Sequence, residues 1–429
     1  MLAGGKILVT AELITHHTFI ELELPASGDK LPAEVVAIDY DANLALLRPS
    51  DPAWLEPLGR FELDNDAAVG DSVEILQIEN NGDIARTPAT LTTISVVPYP
   101  METISLLSYK LSSPLQNRDS SFVLPVVRQG RLLGLLMRYD SRSQSGDVLP
   151  APVIARFLER ASESPYHGFP KAGLAFASTR DPQFRSFIGL NGGNSGVYIT
   201  EVLPDSPASV AGMRRGDVLL SVDGHSLDQD GLYEDSRLGK VLFTHLVTSR
   251  PSSSTPIPLE ILRDGKKLIL ELIPAPSDHT KMVSPPYLYD QPPRYVVLGG
   301  IVFQELSRSY LREWGGNWRK SAPQRLVYLD ATQNELPADH GKVVFVSAVL
   351  PSPETMGYGN LNFLVVKSIN GKPIHRLEDV VEAADQPMDG FQKIEFEEDP
   401  GVIYLDASGI EKNREQLMKH YGLPTTQRL

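Results

Sequence analysis

Residues 196–224 constrain the fold of this 429-residue chain more than any other segment. They read GVYITEVLPDSPASVAGMRRGDVLLSVDG. The apolar run Val197–Val202 predicts a strand, two prolines then predict a turn that enters a short helix, and Val218–Val222 predicts a second strand. The segment therefore indicates a strand–helix–strand unit inside a mixed α and β domain.

This order of elements resembles the core of a PDZ domain of the bacterial and organellar type. The resemblance rests on the first apolar strand and on the run AGMRRGDVL at 211–219. PDZ domains bind peptide ends by adding a strand to the edge of a sheet. The resemblance thus implies a domain whose partners are C-terminal or extended peptide segments of other proteins.

Composition excludes several classes of function. The 40 basic and 54 acidic residues give a net charge of −14, and no basic run is present, so we expect no nucleic-acid partner. Cysteine is absent, which excludes disulfides, thiol catalysis and zinc–thiolate sites, and we expect no metal and no cofactor. No apolar run reaches the roughly 18 residues of a membrane span. The first six residues lack the basic and apolar regions of a signal peptide, so we expect any export signal to lie outside this chain.

The first segment, residues 1–162, is predicted to be rich in β-structure, because short apolar or alternating runs are separated by turn residues. These runs are Ile7–Thr10, Thr18–Leu24, Ala33–Ile38, Leu44–Leu47, Ser72–Ile78 and Leu132–Leu136. A helix is expected within Val148–Arg160. The pattern is typical of a sandwich or barrel.

Two further domains are predicted after this segment. The PDZ-like segment spans 166–275, a proline-rich extended linker spans 276–293, and a third segment spans 294–429. In the third segment LVVKSING at 364–371 echoes VLLSVDG at 218–224, which indicates a diverged second PDZ-like domain. Its tail is expected to form a hairpin and a helix over 411–421 that dock on this domain.

The order barrel, PDZ, PDZ resembles the HtrA/Deg family of trypsin-like serine proteases. The run GGIVFQELSRSYLREWGGNW at 299–318 is similar to the long-form Deg proteases of plants and some bacteria. The resemblance implies a mainly β chain with a trypsin-like β-barrel domain followed by two PDZ-like α+β domains. It also implies a role in protein quality control, assembly into an oligomer, and a location in the periplasm, another exported compartment or an organelle lumen.

The three positions of the catalytic triad are degenerate in this resemblance. KILVTAE places Glu12 where the family has its histidine, EVVAIDYDANLALL places Asn43 where it has its aspartate, and QNRDSSFVLP offers Ser120 or Ser121 as the nucleophile. A carboxylate is a poor substitute for the histidine base, and an amide cannot stabilise an imidazolium. The serine loop also lacks the glycines that let backbone amides converge on an oxyanion.

We therefore expect a catalytically inactive pseudoprotease that acts as a peptide-binding or scaffold protein. One alternative is an active endopeptidase with a rebuilt site, in which Ser121 works with His16 or His17. Another is a regulatory subunit that assembles with an active HtrA protease.

The peptide groove is predicted from a loop that resembles the carboxylate-binding loop of PDZ domains. In the first PDZ domain this loop comprises Ala172, Gly173, Leu174, Ala175 and Phe176, and Leu174–Ser178 offers an unpaired strand edge. A helix within Arg237–Thr248 is expected to form the other wall, with Leu238, Leu242 and His245 as lining residues. In the second PDZ-like domain the corresponding loop comprises Gly299, Gly300, Ile301, Val302 and Phe303.

Overall fold

The structure, a computed structural model, describes residues 5–24, 27–55, 59–79, 82–116, 123–163, 165–190, 195–251, 255–337 and 340–429. Two compact units make up the chain, residues 1–277 and residues 278–429. The first unit contains a barrel region followed by an α+β region, and the second contains two four-stranded sheets with helices.

The barrel region holds ten strands and one helix. They are β1 (Ile7–Val9), β2 (Glu21–Glu23), β3 (Lys30–Asp39), β4 (Leu44–Pro49), β5 (Ser72–Ile78), β6 (Ile84–Pro98), β7 (Ser105–Ser112), β8 (Leu124–Arg128), β9 (Arg131–Asp140), β10 (Ser145–Pro150) and α1 (Ala151–Arg160). Strands β10-β7-β6-β5-β8-β9 close into a barrel, and β1-β4-β3-β2 form a separate sheet.

The barrel core explains why these strands close. Tyr109, Leu111 and Val148 are buried in one cluster, and Ile154 and Phe157 of α1 belong to the same cluster. A proline in the first turn of α1 supplies the backbone angle that a helix start requires. The amphipathic helix thus packs its apolar side on the barrel, as the sequence predicts.

The α+β region of the first unit carries eight strands and three short helices. They are β11 (Leu174–Ala177), α2 (Pro182–Phe187), β12 (Val197–Val202), α3 (Pro207–Val210), β13 (Val218–Val222), β14 (His225–Ser226), β15 (Leu232–Asp235), β16 (Gly239–Leu242), α4 (Thr244–Thr248), β17 (Ile257–Arg263) and β18 (Lys266–Leu272). The main sheet has the order β11-β12-β13-β17-β18, with β14 paired to β13. Strands β12 and β13 have the bounds that the apolar runs predict.

The second unit repeats this arrangement with changes. Its elements are β19 (Tyr295–Leu298), β20 (Ile301–Glu305), α5 (Arg308–Arg312), α6 (Trp318–Ser321), α7 (Gln324–Ala331), β21 (Val344–Val349), β22 (Val366–Ile369), β23 (Lys372–Pro373), α8 (Leu377–Ala384), β24 (Phe391–Phe396), β25 (Val402–Asp406), α9 (Ala407–Tyr421) and β26 (Gln427–Arg428). Its sheets have the orders β21-β20-β19-β26 and β23-β22-β24-β25.

The segment 276–293 differs from the predicted extended linker. Ser284 is fully buried, its backbone N–H donates to Gln333 Oε1 at 3.0 Å, and its hydroxyl donates to Asp330 Oδ1 at 2.8 Å. A free spacer would leave these polar groups in water, so this part of the segment belongs to the packed second unit. Proline richness does not distinguish a free spacer from a segment that is packed on a domain, and this segment also contains the 3-10 turn His279–Lys281.

Candidate functional site

The structure brings the positions of the catalytic base and its orienter together. Glu12 lies in a short 3-10 turn over Ala11–Ile14, directly after β1, and Asn43 lies in the turn between β3 and β4. The backbone N–H of Glu12 donates to the side-chain oxygen of Asn43 at 3.1 Å. Asn43 is buried and has a left-handed φ of 54°, which asparagine tolerates better than most residues. The two positions are therefore in direct contact through the backbone of Glu12 and the side chain of Asn43.

Two buried aspartates flank this turn, and both are engaged by other side chains. Asp39 accepts a hydrogen bond from Tyr166 at 2.5 Å, and Asp41 accepts hydrogen bonds from Thr103 and Lys171, each at 2.5 Å. Burial raises the pKa of Asp39, and the neighbouring Asp41 carboxylate raises it further. These carboxylates anchor the segment that leads from the barrel to the α+β region.

The other predicted triad residues are two serines and two histidines. Ser120 and Ser121 lie outside the described residues. The His17 ring nitrogen Nδ1 lies 2.7 Å from the carbonyl oxygen of Ile14, within its own turn, and His16 is exposed.

In the predicted carboxylate-binding loop of the first PDZ domain, the carbonyl groups of Ala172 and Gly173 both point towards the turn at 203–208. The Ala172 carbonyl accepts from the Ala208 N–H at 2.8 Å, and the Gly173 carbonyl accepts from the Leu203 N–H at 2.9 Å. In a trans peptide the N–H points opposite to the carbonyl, so the amides of Gly173 and Leu174 point away from the 203–208 turn. Gly173 has a φ of 74°, and a Cβ there would lie 2.3 Å from Ser206 Cβ, so this position requires glycine.

Strand β11, which follows this loop, is an edge strand of its sheet. Leu174 lies opposite Val202, and the bond from Leu203 to Gly173 makes this a non-hydrogen-bonded pair of the ladder. The N–H and C=O of Leu174 therefore point towards the outer edge of β11. Backbone groups in this position can pair with an added peptide strand.

The wall opposite β11 differs from the predicted helix. Residues 237–248 do not form one helix, because Gly239–Leu242 is strand β16, paired with β15, and the helix α4 begins only at Thr244. Gly239 has a φ of 73°, a left-handed conformation that interrupts a right-handed helix. The spacing of apolar residues in this segment resembles that of an amphipathic helix. The same spacing is also compatible with the β15–β16 hairpin followed by a short helix.

Of the three predicted wall residues, Leu242 packs on the PDZ core, whereas Leu238 and His245 also contact the barrel. Leu242 is half-buried against the same apolar cluster as Leu174 and Phe176. Leu238 packs on both this cluster and the barrel core. Leu246, which the sequence analysis missed, also packs on the PDZ cluster. Its i, i+4 spacing from Leu242 is the signal that identifies it.

His245 lies near the barrel. Burial lowers the pKa of His245, the Asp235 carboxylate raises it, and Arg156 of α1 lowers it again. A neighbour on the barrel helix and the packing of α4 against β7 place this imidazole at the contact between barrel and α4. Its role in peptide selection stays a prediction.

In the second unit the predicted loop Gly299–Phe303 is wrong as a carboxylate-binding loop. Gly299 and Gly300 form a two-residue hairpin turn with φ of 63° and 109°, and they join β19 directly to β20. Strand β20 is the counterpart of β11, and its outer edge is paired with β19. The chain itself thus fills the position that an added peptide strand would occupy.

The chain's C-terminus adds one more strand to the same sheet. Strand β26 pairs with β19, and the carbonyl of Thr426 accepts from the Val297 N–H at 2.7 Å. A cavity of about 490 Å³ lies between β19, α8 and α9, with Val296, Val381 and Leu417 in its wall. The predicted docking of the tail on the second PDZ-like core is present.

Within the described ranges, no group of three or more acidic or histidine side chains is placed to hold a metal ion. In the same ranges, no helix is long and apolar enough to cross a membrane.

Comparison with known proteins agrees with this architecture. Two family models, each described as a PDZ domain, match residues 198–239 and residues 284–427. The HtrA-type protease AlgW, solved with a tripeptide, has a TM-score of 0.50 at 19% identity and covers 65% of this chain and 88% of its own. An AlgW variant with a decapeptide gives a TM-score of 0.51 at 19% identity, with 65% and 80% covered. The class of protein is therefore a trypsin-like barrel domain joined to PDZ domains, which confirms the predicted fold class.

The relatives in sequence include plant proteases. Protease Do-like 2, chloroplastic, of Arabidopsis thaliana is 25% identical over 434 residues, which cover 99% of this chain and 69% of the relative. Protease Do-like 4, mitochondrial, of the same plant is 22% identical over 428 residues, which cover 99% and 78%. The chain is thus similar along nearly its whole length to the HtrA/Deg family, and its later segments match PDZ domains.

Proposed function

We propose that this chain is a catalytically inactive HtrA/Deg-like pseudoprotease that binds peptide segments through its first PDZ domain and acts as a scaffold. The observation that carries the proposal is the contact between Glu12 and Asn43, at the positions of the base and its orienter. Neither side chain can supply the chemistry of the residue it replaces.

The chemistry of a serine triad needs an imidazole with two nitrogens, one facing the serine and one facing a carboxylate. Glu12 has no such pair of atoms, and Asn43 carries no charge to stabilise a protonated base. The Asn43 oxygen is moreover engaged by the Glu12 backbone. His17 is held by the carbonyl of Ile14, which argues against a rebuilt site that uses this imidazole.

Peptide binding is assigned to the first PDZ domain because only there is the edge next to the loop an outer edge of the described sheet. The amides of Gly173 and Leu174 provide donors for a carboxylate, and Leu242 and Leu246 provide an apolar wall. The AlgW structures, solved with a decapeptide and with a tripeptide, support this assignment by analogy. We infer a location in an organelle lumen or another exported compartment, and the mitochondrial and chloroplastic relatives support this inference.

The test of inactivity is incubation with a fluorophosphonate probe and with unfolded casein, beside an active HtrA-type protease as control. We expect no labelling and no casein turnover. Labelling that disappears in Ser120→Ala or Ser121→Ala would refute the proposal. Addition of an active HtrA protease to the same assay shows whether the chain acts instead as its regulatory subunit.

The test of peptide binding compares a C-terminal peptide with its C-terminal amide, using the best hit from a peptide library. We expect micromolar affinity, about −8 kcal/mol, for the free carboxylate and a large loss for the amide. Leu246→Ala should weaken binding by about tenfold, since truncation of a half-buried leucine removes ~1.4 kcal/mol. Equal affinity for acid and amide would mean that the loop does not bind a carboxylate.

A further inference from the structure

The opposite end of the first PDZ sheet presents a second edge. Strand β18 ends the sheet order, and within the described ranges no strand pairs with its outer side. This edge is separated from β11 by three strands, so it is a surface distinct from the peptide groove. Its side chains are unusually apolar for an outer strand, since Ile269 is 75% exposed and Ile273, just beyond the strand, is 62% exposed.

The backbone of β18 offers a regular row of groups to a partner strand. Strands β17 and β18 are joined by the two-residue turn Asp264-Gly265, which makes Arg263 and Lys266 a hydrogen-bonded pair. The pairing alternates along the ladder, so Ile269 faces Glu260 as a non-hydrogen-bonded pair. The N–H and C=O groups of Lys267, Ile269 and Glu271 consequently point to the outer edge.

The charges along this edge are self-complementary. Lys267 and Glu271 lie two residues before and two residues after Ile269. An antiparallel pairing centred on Ile269 sets Lys267 against Glu271 of a second copy, and the reverse pair forms by symmetry. Lys267 also contacts Glu260 at 2.7 Å within its own chain, so each lysine would bridge two carboxylates.

In any other register of antiparallel self-pairing, Lys267 no longer lies opposite Glu271 of the second copy. Lysines on an edge strand normally discourage pairing between copies, and Lys266 and Lys267 serve that purpose in shifted registers. In the centred register Ile269 meets its own counterpart, and Leu268 meets Leu270 of the second copy. Additional apolar surface lies next to the strand, because α3 packs beside β18 and its Val210 is 81% exposed.

We propose that β18 is a homodimerisation edge, at which two copies of this chain pair antiparallel about a two-fold axis through Ile269. The two six-stranded sheets then join into one continuous sheet. A second copy is the occupant because the sequence of the strand is complementary to itself. The inference is independent of the proposed function, since it uses neither the groove nor the degenerate triad.

The first test is sedimentation velocity of the full chain over a wide concentration range. We expect the mass to rise from 47.2 kDa towards twice that value with concentration. Ile269→Lys should weaken the dimer at least tenfold, because two added ammonium groups would meet at the axis. Ile84→Lys is the matched control, because Ile84 is an isoleucine of β6 with 57% exposure, and it should leave the dimer unchanged.

The register is tested by charge exchange. Lys267→Glu and Glu271→Lys should each weaken the dimer, and the double variant should restore most of the loss. Because the chain has no cysteine, Ile269→Cys can also be joined to itself by a short bismaleimide, whereas Ile84→Cys should not be. A chain that stays monomeric, an oligomer insensitive to Ile269→Lys, or a double variant without recovery would each overturn the proposal.

Discussion

At the scale of single residues, the barrel region brings together the two positions that the family resemblance gives to the catalytic base and its orienter. Glu12 and Asn43 meet through a backbone N–H and an amide oxygen. A hydrogen bond of this kind fixes the turn. In the function proposed above, the two residues have this structural role and no catalytic one.

Reversion of these two residues is a sharp test of that view. The variant Glu12→His with Asn43→Asp restores two residues of a triad, yet we expect no casein turnover above the blank. The reason is that the serine loop contains no glycine over residues 116–125, so backbone amides cannot converge on an oxyanion. Recovered turnover, abolished again by Ser121→Ala, would show that the loop is competent.

His245 gives a prediction for the dependence of stability on pH. Its pKa in the folded chain lies below the ordinary value of 6.5, so the unfolded chain binds this proton more readily. The contribution of neutral His245 to the free energy of unfolding is therefore fully present above about pH 6.5, and it is lost as the pH falls below that value. In His245→Gln the free energy of unfolding should therefore fall less on acidification, as measured by urea unfolding followed by circular dichroism. His167→Gln, at an exposed position, is the control, and identical profiles for His245→Gln and the parent would contradict the assignment.

At the scale of elements, the sequence predicts the strands whose side chains alternate or form apolar runs. Strands β5, β12 and β13 have the predicted bounds. Strand β6, Ile84–Pro98, was not predicted, because threonines, a serine and two prolines hide its alternation. Strand β6 is stabilised by pairing with β5 on one side and β7 on the other, and a pattern within the strand itself cannot report these cross-strand contacts.

The two PDZ-like grooves show the same limit. Within Arg237–Thr248, where a helix is expected, the chain forms strand β16 and then only the short helix α4, because Gly239 adopts a left-handed angle. In the second domain the sequence pattern is compatible with two structures, and the predicted carboxylate-binding loop is not the one that forms. Two glycines between apolar runs, Gly299 and Gly300, indicate a two-residue hairpin as well as a carboxylate-binding loop.

The contribution of the C-terminal strand β26 to stability can be measured with a short and a long C-terminal deletion. Removal of 424–429 eliminates β26, its bond from Val297 to Thr426 and the contact of Arg428 with the Tyr295 ring. We expect a loss of ~1–2 kcal/mol, a fall of several degrees in Tm for a unit of this size. Removal of 400–429 also eliminates β25, whose Ile403 and Leu405 are buried in the core, and should unfold the second unit. An unchanged Tm after the short deletion would mean that β26 contributes nothing.

At the scale of the whole molecule, the chain consists of two separately compact units with the division at residues 277 and 278. Each unit has its own buried apolar clusters. In the second unit one cluster lies under the two sheets, and another joins the helices α5 to α7 to Val343 and Phe345. The core of one unit therefore needs no side chain from the other.

This division predicts how fragments of the chain behave. A fragment of residues 278–429 should unfold cooperatively by circular dichroism, because it contains both clusters. A fragment that starts at residue 294, the boundary expected from proline content, should be less stable. It lacks Ser284, which bonds to Gln333 and Asp330, and the carbonyls of Thr280 and Met282 that accept from Lys342.

The loss of these partners removes hydrogen bonds of Gln333 and Lys342 in a packed region, while Asp330 keeps its ion pair with Arg308, at a cost of ~2–4 kcal/mol. That cost corresponds to a Tm lower by roughly 5–15 °C for a unit of this size. The variant Ser284→Ala in the longer fragment measures the contribution of the serine hydroxyl alone. Its Tm should lie between those of the two fragments. If both fragments melt at the same temperature, residues 278–293 are a linker after all, and the boundary belongs where proline content places it.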